Sequence, residues 1–226
     1  MTADRLEQVL DYRFDDKGLL EQALTHRSAS VENNERLEFL GDSVLNFIIA
    51  GEVYHRRSAA PEGELSRLRA NLVNKNSLAA LAKAIRLGDD VRLGGGEMKS
   101  GGHRRASILA DCLEAVFGAI YLDGGFDRVA GVVRRLYADR LANLPSPQQL
   151  KDPKTRLQEY LQARKLPLPE YEVAEVGGQA HDQVFRVVCR IGGVEGDTAG
   201  EAGSRRQAEQ RAAELMLATL SGGDGE

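Results

Sequence analysis

The segment NERLEFLGDSVLNFIIAG, residues 34–51, carries three carboxylates on an otherwise apolar stretch. Glu35, Glu38 and Asp42 are spaced i, i+3 and i+7, which places all three on one side of an α-helix. Most of the other residues are apolar: Leu37, Phe39, Leu40, Val44, Leu45, Phe47, Ile48 and Ile49. Such a helix has little surface left for water, so its acids need partners or a metal ion to offset the cost of burial.

A second apolar segment repeats this pattern. In SILADCLEAVFGAIYL, residues 107–122, Asp111 and Glu114 share a helix face at i, i+3. A further acid, Glu62, lies at the start of another predicted helix. Two apolar helices that both carry stacked acids favour a shared role for these carboxylates.

Two explanations of the acids remain open on spacing alone. Each acid could lie on the solvated stripe of its helix and pair with an arginine, such as Arg36, Arg67 or Arg69. Alternatively, the acids converge on a hard cation such as Mg²⁺, which prefers oxygen ligands. The chain has no CxxC or HExxH pattern, which disfavours zinc. Because carboxylate-held Mg²⁺ can activate water and neutralise charge on a phosphodiester, phosphodiester hydrolysis is the natural candidate reaction.

Composition indicates a soluble globular protein of one large domain or two ordinary ones. The chain has 226 residues, of which 42% are hydrophobic and 28% charged. Apolar runs such as VLNFIIAG are too short to span a bilayer, and MTADRLEQVLDY has no apolar signal core. The two cysteines, Cys112 and Cys189, form no disulfide-dense pattern. We therefore expect a cytoplasmic protein with no membrane partner.

The net charge of −4 would, by itself, argue against a nucleic-acid partner. Its distribution weakens that argument, because basic residues cluster in HRRS (55–58), HRRAS (103–107) and GSRRQAEQR (203–211). Many of the acids fall in the carboxylate-bearing segments. The total charge therefore leaves the class of partner open.

The chain divides into a helical part and a mixed part. Residues 4–143 show helical spacing, which predicts six or more helices and no strands, with GGGEMKSGG as a flexible loop. NLPSPQQLKDP is polar and carries three prolines, as is typical of a linker. The predicted boundaries are an all-α domain 1–144, a linker 145–151, an α+β domain 152–221 and a disordered tail 222–226.

The second domain has the element order α-β-β-β-α. DPKTRLQEYLQARK predicts a helix with an Asp N-cap followed by Pro. YEVAEVGG and QVFRVVCRIGG are rich in β-branched residues and end in glycines, as strands do, and VEGDTAGEAG is a plausible third strand. SRRQAEQRAAELMLATL predicts a helix with a capping box from Ser204 to Gln207.

These motifs resemble those of the ribonuclease III family, the double-stranded-RNA endonucleases that include bacterial ribonuclease III and Dicer. NERLEFLGDSVL is similar to the family signature. The match continues through THRSAS, EGELSRLRANLV, LGGGEMKSGGHRRASILADCLEAVFGAIYLD and KDPKTRLQEYLQ. It covers nearly the whole chain, with the domain order of the bacterial enzymes. The resemblance implies an endonuclease domain followed by a double-stranded RNA-binding domain.

The resemblance also implies roles for particular residues. It implies that Glu38, Asp111 and Glu114 bind a catalytic Mg²⁺, for which Mn²⁺ is expected to substitute. Asp42 is implied as an essential acidic partner in catalysis, together with Glu114.

Three further residues receive roles from the resemblance. Glu35 and Glu62 match two more family acids that line the catalytic valley. Phe39 matches a residue that inserts into the partner subunit of a homodimer; without the resemblance, ordinary core packing is an equal alternative.

Residues of the second domain are candidates for contacts with RNA. Thr155 and Gln158 lie at i, i+3 on the polar face of the first helix, and uncharged donors and acceptors suit the 2′-hydroxyls of the minor groove. His181, in the loop between two strands, could reach a second minor groove. The alternative for each is a solvated surface residue.

The start of the last helix is a candidate phosphate site. Arg205 and Arg206 lie in its first turn, where the helix macrodipole disfavours cations. Phosphate oxygens at this end would favour both the arginines and the free backbone N–H groups. Ser204 can cap the helix and still contact RNA.

The leading hypothesis is a Mg²⁺-dependent endonuclease that cleaves both strands of double-stranded RNA. The resemblance implies products with 5′-phosphates and short 3′ overhangs, made from rRNA precursors and structured mRNAs. The alternative is a catalytically silent double-stranded RNA-binding regulator. All six family acids are kept, which favours the enzyme.

Overall fold

The fold is described from a computed structural model, which covers residues 2–179 and 182–222. The chain forms two compact units, Met1–Pro145 and Ser146–Glu226. The separate linker at 145–151 and the disordered tail stay predictions. The last helix runs as far as Gly222, and residues 223–226 lie outside the described residues.

Unit 1 is all-α over its described residues, as predicted. Its α-helices are α1 (Thr2–Leu10), α2 (Lys17–Ala23), α3 (Glu35–Arg56), α4 (Glu62–Val73), α5 (Lys75–Ala84), α6 (Gly95–Lys99), α7 (Ala106–Leu136) and α8 (Ala138–Ala142). Its extended pairing, within the same residues, is a single bridge between Thr25 and Arg92. None of the helices described for this chain is long and apolar enough to cross a membrane.

Helices α3 and α7 form the centre of unit 1. The first half of α7 is almost completely buried, from Ile108 to Ile120, apart from the two predicted acids. Gly41 of α3 lies against Gly118 of α7, and a Cβ on Gly41 would overlap the carbonyl oxygen of Glu114. A Cβ on Gly118 would in turn overlap the carbonyl oxygen of Leu37. The two helix backbones are therefore in direct contact at this crossing.

At two glycine-containing segments, the backbone differs from the conformation that the sequence pattern suggests. GGGEMKSGG, predicted as a flexible loop, contains the one-turn helix α6. Gly94 precedes it and packs so closely on Ser28 that a Cβ would overlap the Ser28 carbonyl oxygen. In α7, the helical backbone is interrupted at Gly125, with φ 78° and ψ −177°, which L side chains rarely adopt.

Unit 2 has the predicted order: α9 (Pro153–Ala163), β1 (Glu170–Gln179), β2 (Asp182–Arg190), β3 (Thr198–Ala202) and α10 (Arg205–Gly222). The sheet is antiparallel in the order β1-β2-β3, with Tyr171 opposite Cys189 and Val187 opposite Gly200. Its inner face packs on α9 and α10 through a core that includes Leu157, Leu161, Cys189, Ala212 and Met216. Asp152 caps α9 by accepting a hydrogen bond from the Thr155 backbone N–H.

Replacing Gly41 tests how far the fold depends on the contact between α3 and α7. Gly41→Ala should lower the free energy of unfolding by about 3 kcal/mol or more, because the new methyl group forces the backbones apart. The matched control is Gly51→Ala in the same helix, where a Cβ meets nothing within 4 Å. That change should stabilise the chain by about 0.4–1 kcal/mol. Urea denaturation measures both; equal effects would contradict the direct backbone contact.

Candidate metal centre and RNA-binding surface

Three of the predicted acids come together where α3 crosses α7. The carboxylate oxygens of Glu38, Asp111 and Glu114 can all lie within 4.8 Å of one another, and the three side chains are partly buried. Glu38 lies one turn before Gly41, and Glu114 supplies the carbonyl oxygen that Gly41 contacts. The close crossing therefore brings carboxylates from two helices to one point.

The electrostatics of this cluster favour a cation. Burial, together with the charges of Asp42, Glu38 and Asp111, raises the pKa of Glu114 to about 8. Burial also raises the pKa of Glu38 and of Asp111. Lys75, at the start of α5, opposes all three shifts. Oxygen ligands that converge from two helices and repel one another fit a hard divalent cation such as Mg²⁺.

Asp42 and Glu35 lie beside this cluster. Asp42 is exposed, and its Oδ1 accepts a hydrogen bond of 2.8 Å from the side-chain amide of Asn46. Its charge contributes to the raised pKa of Glu114, which places it near that carboxyl group. Glu35 is exposed and forms a 3.4 Å ion pair with Arg27.

Glu62 is less closely linked to the cluster. It begins α4, is exposed, and its Oε1 accepts a 2.6 Å hydrogen bond from the Ser66 hydroxyl. In the described part of the chain, no ion pair joins the predicted acids to Arg36, Arg67 or Arg69. The arginine-paired alternative therefore finds no support at these three positions.

A cleft of 460 Å³ opens beside the acids, and the sequence interpretation missed several of its residues. Besides Glu35, Glu38 and Asp111, its lining includes His26, Arg27, Ser28, Glu97 and Arg105. Glu97 and Arg105 form a 2.9 Å ion pair across it. The motif THRSAS contains three of these residues. The sequence pattern alone does not show which helix they lie against, so it gave them no role. The cleft thus combines carboxylates with cations that suit the phosphates of a nucleic acid.

Phe39 does not belong to the core of this chain. Its side chain is 78% exposed, so the alternative of ordinary core packing is wrong. Phe47 and Tyr54 on the same helix are 67% and 63% exposed, and the Phe47 ring contacts Phe126. Several exposed aromatic residues on one helix are typical of an interaction surface.

The predicted RNA contacts in α9 lie on its solvent side. Thr155 and Gln158 are exposed, while Leu157 and Leu161 are buried in the core. The Thr155 hydroxyl donates a 2.9 Å hydrogen bond to Asp152, which leaves its oxygen lone pairs free to accept. His181 lies outside the described residues.

The predicted contacts in α10 lie at its start. Arg205 and Arg206 are exposed in the first turn. The Ser204 hydroxyl accepts a 3.3 Å hydrogen bond from the Gln207 backbone N–H, which is the Ser204 half of the predicted capping box. Gly200 of β3 packs directly on α10, since a Cβ there would overlap the Ala208 carbonyl oxygen.

Comparisons with known proteins give both units a family. Residues 16–141 match the model described as Ribonuclease-III-like, and residues 153–220 match the double-stranded RNA binding motif. Ribonuclease 3 of Alkalilimnicola ehrlichii is 63% identical over 217 residues, covering 96% of this chain and 95% of that protein. The chain belongs to the ribonuclease III family. Ribonuclease 3 of Nitrosococcus oceani is 57% identical over 219 residues, covering 96% and 94%.

A solved structure supports this assignment for unit 1. The nuclease domain of ribonuclease III from Campylobacter jejuni aligns with a TM-score of 0.59 at 46% identity, covering 60% of this chain and 95% of that one. The predictions of a ribonuclease III enzyme and of its two-domain fold are thereby confirmed. The roles of individual residues stay predictions.

The raised pKa of Glu114 predicts how stability of the metal-free chain depends on pH. The unfolded chain loses the Glu114 proton near 4.5, whereas the folded chain keeps it to about 8. The free energy of unfolding should therefore fall as the pH rises between these values. Glu114→Gln should make this fall shallower and raise stability at the alkaline end, measured by urea denaturation in EDTA.

The control is Glu52→Gln, also on α3. Hydrogen bonding from Arg134 lowers the pKa of Glu52, so its contribution to stability is lost only as the pH falls below this window. Its replacement should reduce stability without changing the slope within the window. If Glu114→Gln leaves the slope unchanged, burial and repulsion do not act on Glu114 as described.

Proposed function

We propose that this chain is a Mg²⁺-dependent endonuclease that cleaves both strands of double-stranded RNA. The observation that carries the proposal is the convergence of Glu38, Asp111 and Glu114 from two helices, in a chain that also has a double-stranded RNA binding motif. We further propose products with 5′-phosphates and short 3′ overhangs. Precursors of ribosomal RNA and structured mRNAs in the cytoplasm are the proposed substrates.

The three converging carboxylates are the proposed ligands of the metal. Their oxygens suit Mg²⁺, and Mn²⁺ should substitute because it accepts the same donors. When bound, the ion supplies an activated water and neutralises charge on the phosphodiester. Asp42 is proposed as the acidic partner, held in place by the hydrogen bond from Asn46. Glu35 and Glu62 are proposed to line the same valley.

Unit 2 is proposed to hold the duplex for unit 1. Thr155 and Gln158 are proposed to contact 2′-hydroxyls, and Arg205 and Arg206 to contact phosphates, with Ser204 beside them. His181 is proposed as a second minor-groove contact on sequence grounds alone. The exposed side chains give this surface both neutral donors and cations.

A homodimer is the proposed assembly. A region involved in dimer formation is described for the nuclease domain of Campylobacter jejuni ribonuclease III. In this chain, the exposed Phe39, Phe47 and Tyr54 give α3 an apolar surface that a second copy could cover. We propose that Phe39 inserts into the partner subunit.

Single-turnover cleavage of a labelled RNA duplex tests the proposed chemistry. Glu114→Gln keeps the size of the side chain but removes a ligand charge, so cleavage should slow at least ~10²-fold, or about 2.7 kcal/mol of transition-state stabilisation. EDTA should stop cleavage by the unsubstituted chain. Duplex affinity should change little in either case, because unit 2 is untouched.

Near-normal cleavage by the variant, or cleavage in full chelation, would contradict the metal mechanism. Binding without cleavage by the unsubstituted chain with Mg²⁺ would favour the silent regulator.

Removing residues 146–226 separates the two proposed roles. Because unit 1 is a compact unit by itself, the shortened chain should fold and still cleave duplex RNA at low salt. Its activity should fail at lower salt than that of the full chain, since fewer phosphate contacts remain. Circular dichroism and cleavage rates over a salt series measure this. An unfolded shortened chain, or a salt dependence of cleavage equal to that of the full chain, would contradict the separate roles proposed for the two units.

A further inference from the structure

An ion-pair network centred on a largely buried carboxylate joins α9 and α10, the two helices of unit 2 that are proposed to bind RNA. The Lys154 ammonium of α9 donates a 2.7 Å hydrogen bond to the carboxylate of Glu209 in α10. Glu209 also accepts a 2.9 Å hydrogen bond from Nε of Arg205. The Glu209 side chain is only 13% exposed.

Lys154 is held in this position from a second side. Its ammonium lies 4.3 Å from the centre of the Tyr171 ring, within the range of a cation–π contact. Its backbone N–H donates to the Gln210 amide oxygen at 3.0 Å, and the Gln210 amide donates to Asp152 at 2.9 Å. The Lys154 ammonium is thus held between the Glu209 carboxylate and the Tyr171 ring.

Glu209 brings a negative charge to the surface that is proposed to bind RNA. Its carboxylate lies one turn after Arg205, on the helix that presents two arginines to the proposed phosphate contacts. An uncompensated negative charge there would repel RNA by an amount comparable to the gain from one phosphate contact. Among the described residues, Arg205 donates to Glu209 through Nε, and its terminal N–H groups have no hydrogen-bond acceptor there.

We propose that Glu209 is a positioning residue that orients Arg205 toward phosphate, and that Lys154 cancels the charge which Glu209 brings to the RNA-binding surface. This inference rests on the proposed function of unit 2. Lys154 is then a compensating residue and does not itself contact phosphate. Hydrogen bonding from Lys154 lowers the pKa of Glu209, which agrees with a carboxylate that stays charged in this network.

A double-mutant cycle in the full chain tests the proposal, with duplex affinity measured in EDTA over a salt series. Lys154→Met keeps the stem of the side chain and should weaken binding about tenfold, the scale of one uncompensated surface charge. The salt slope should stay the same, because no phosphate contact is lost. Glu209→Gln should bind at least as tightly as the unsubstituted chain, since its amide oxygen still accepts from Arg205. The double variant should return to within about threefold of the unsubstituted chain, because the net charge is restored.

The matched control is Lys151→Met, which removes the same charge from a lysine that pairs at 2.6 Å with Glu159 within the α9 region rather than with α10 among the described residues. It should change affinity less than about twofold. Equal losses for both lysines would overturn the proposal. So would a salt slope lowered by about one in Lys154→Met, which marks a lost phosphate contact. A double variant as weak as Lys154→Met would also overturn it, because the pair would then be a structural link.

Folding and the proposed function are checked separately. Circular dichroism should show that each variant is folded, and Lys154→Arg, which keeps the charge, should bind normally. If Lys154→Met is unfolded, weak binding by a folded Lys154→Arg would overturn the proposal. If the unsubstituted chain itself does not bind duplex RNA, the proposed function fails, and the inference fails with it.

Discussion

The contact between the backbones of α3 and α7 is the constraint on which the rest of unit 1 depends. Gly41 and Gly118 leave no side chain between the two helices at their crossing. Because a carbonyl oxygen of each helix faces a glycine of the other, neither position tolerates even a methyl group without movement of a backbone. The carboxylates of Glu38 and Glu114 are brought together by this geometry, since each lies within a turn of the crossing.

Both units contain carboxylates whose properties depend on the charges around them. In unit 1, burial and the repulsion of nearby carboxylates raise the pKa of Glu114 and of Glu38, with Lys75 opposing the effect. In unit 2, the acid Glu209 is paired with two cations from two helices. One acidic site therefore has unbalanced charge, as a cation-binding centre needs, and the other is neutralised within the protein. The acids proposed to bind a metal ion and the acid proposed to orient Arg205 therefore differ in how their charges are balanced.

Much of this arrangement follows from sequence patterns. Helical spacing placed Glu38 and Asp42 on one face and Asp111 and Glu114 on another, and the order of elements in unit 2 followed from β-branched runs and caps. Spacing within one helix cannot show where two helices cross, so the convergence of the acids came from the resemblance and then from the structure. The short helix Gly95–Lys99 was missed because its glycines favour a loop, and its position depends on packing at Ser28. The exposure of Phe39 could not be derived, since an apolar residue on an apolar helix has the same pattern in core and interface.

Because the helix crossing depends on the glycines and not on the acids, the fold and the chemistry can be inherited independently. The atoms nearest to a Cβ at Gly41 are main-chain atoms of Glu114 and Gly118, and any residue at position 114 would supply the same carbonyl oxygen. A descendant of this chain could thus replace all its carboxylates and keep the same helix crossing, whereas loss of either glycine would disturb the architecture before any question of activity arose. In distant relatives, the paired glycines should therefore identify members of the fold, and the acids should identify active nucleases if the proposed mechanism holds. A gene that retains the first signature without the second would be expected to encode a folded protein with another use for its surface.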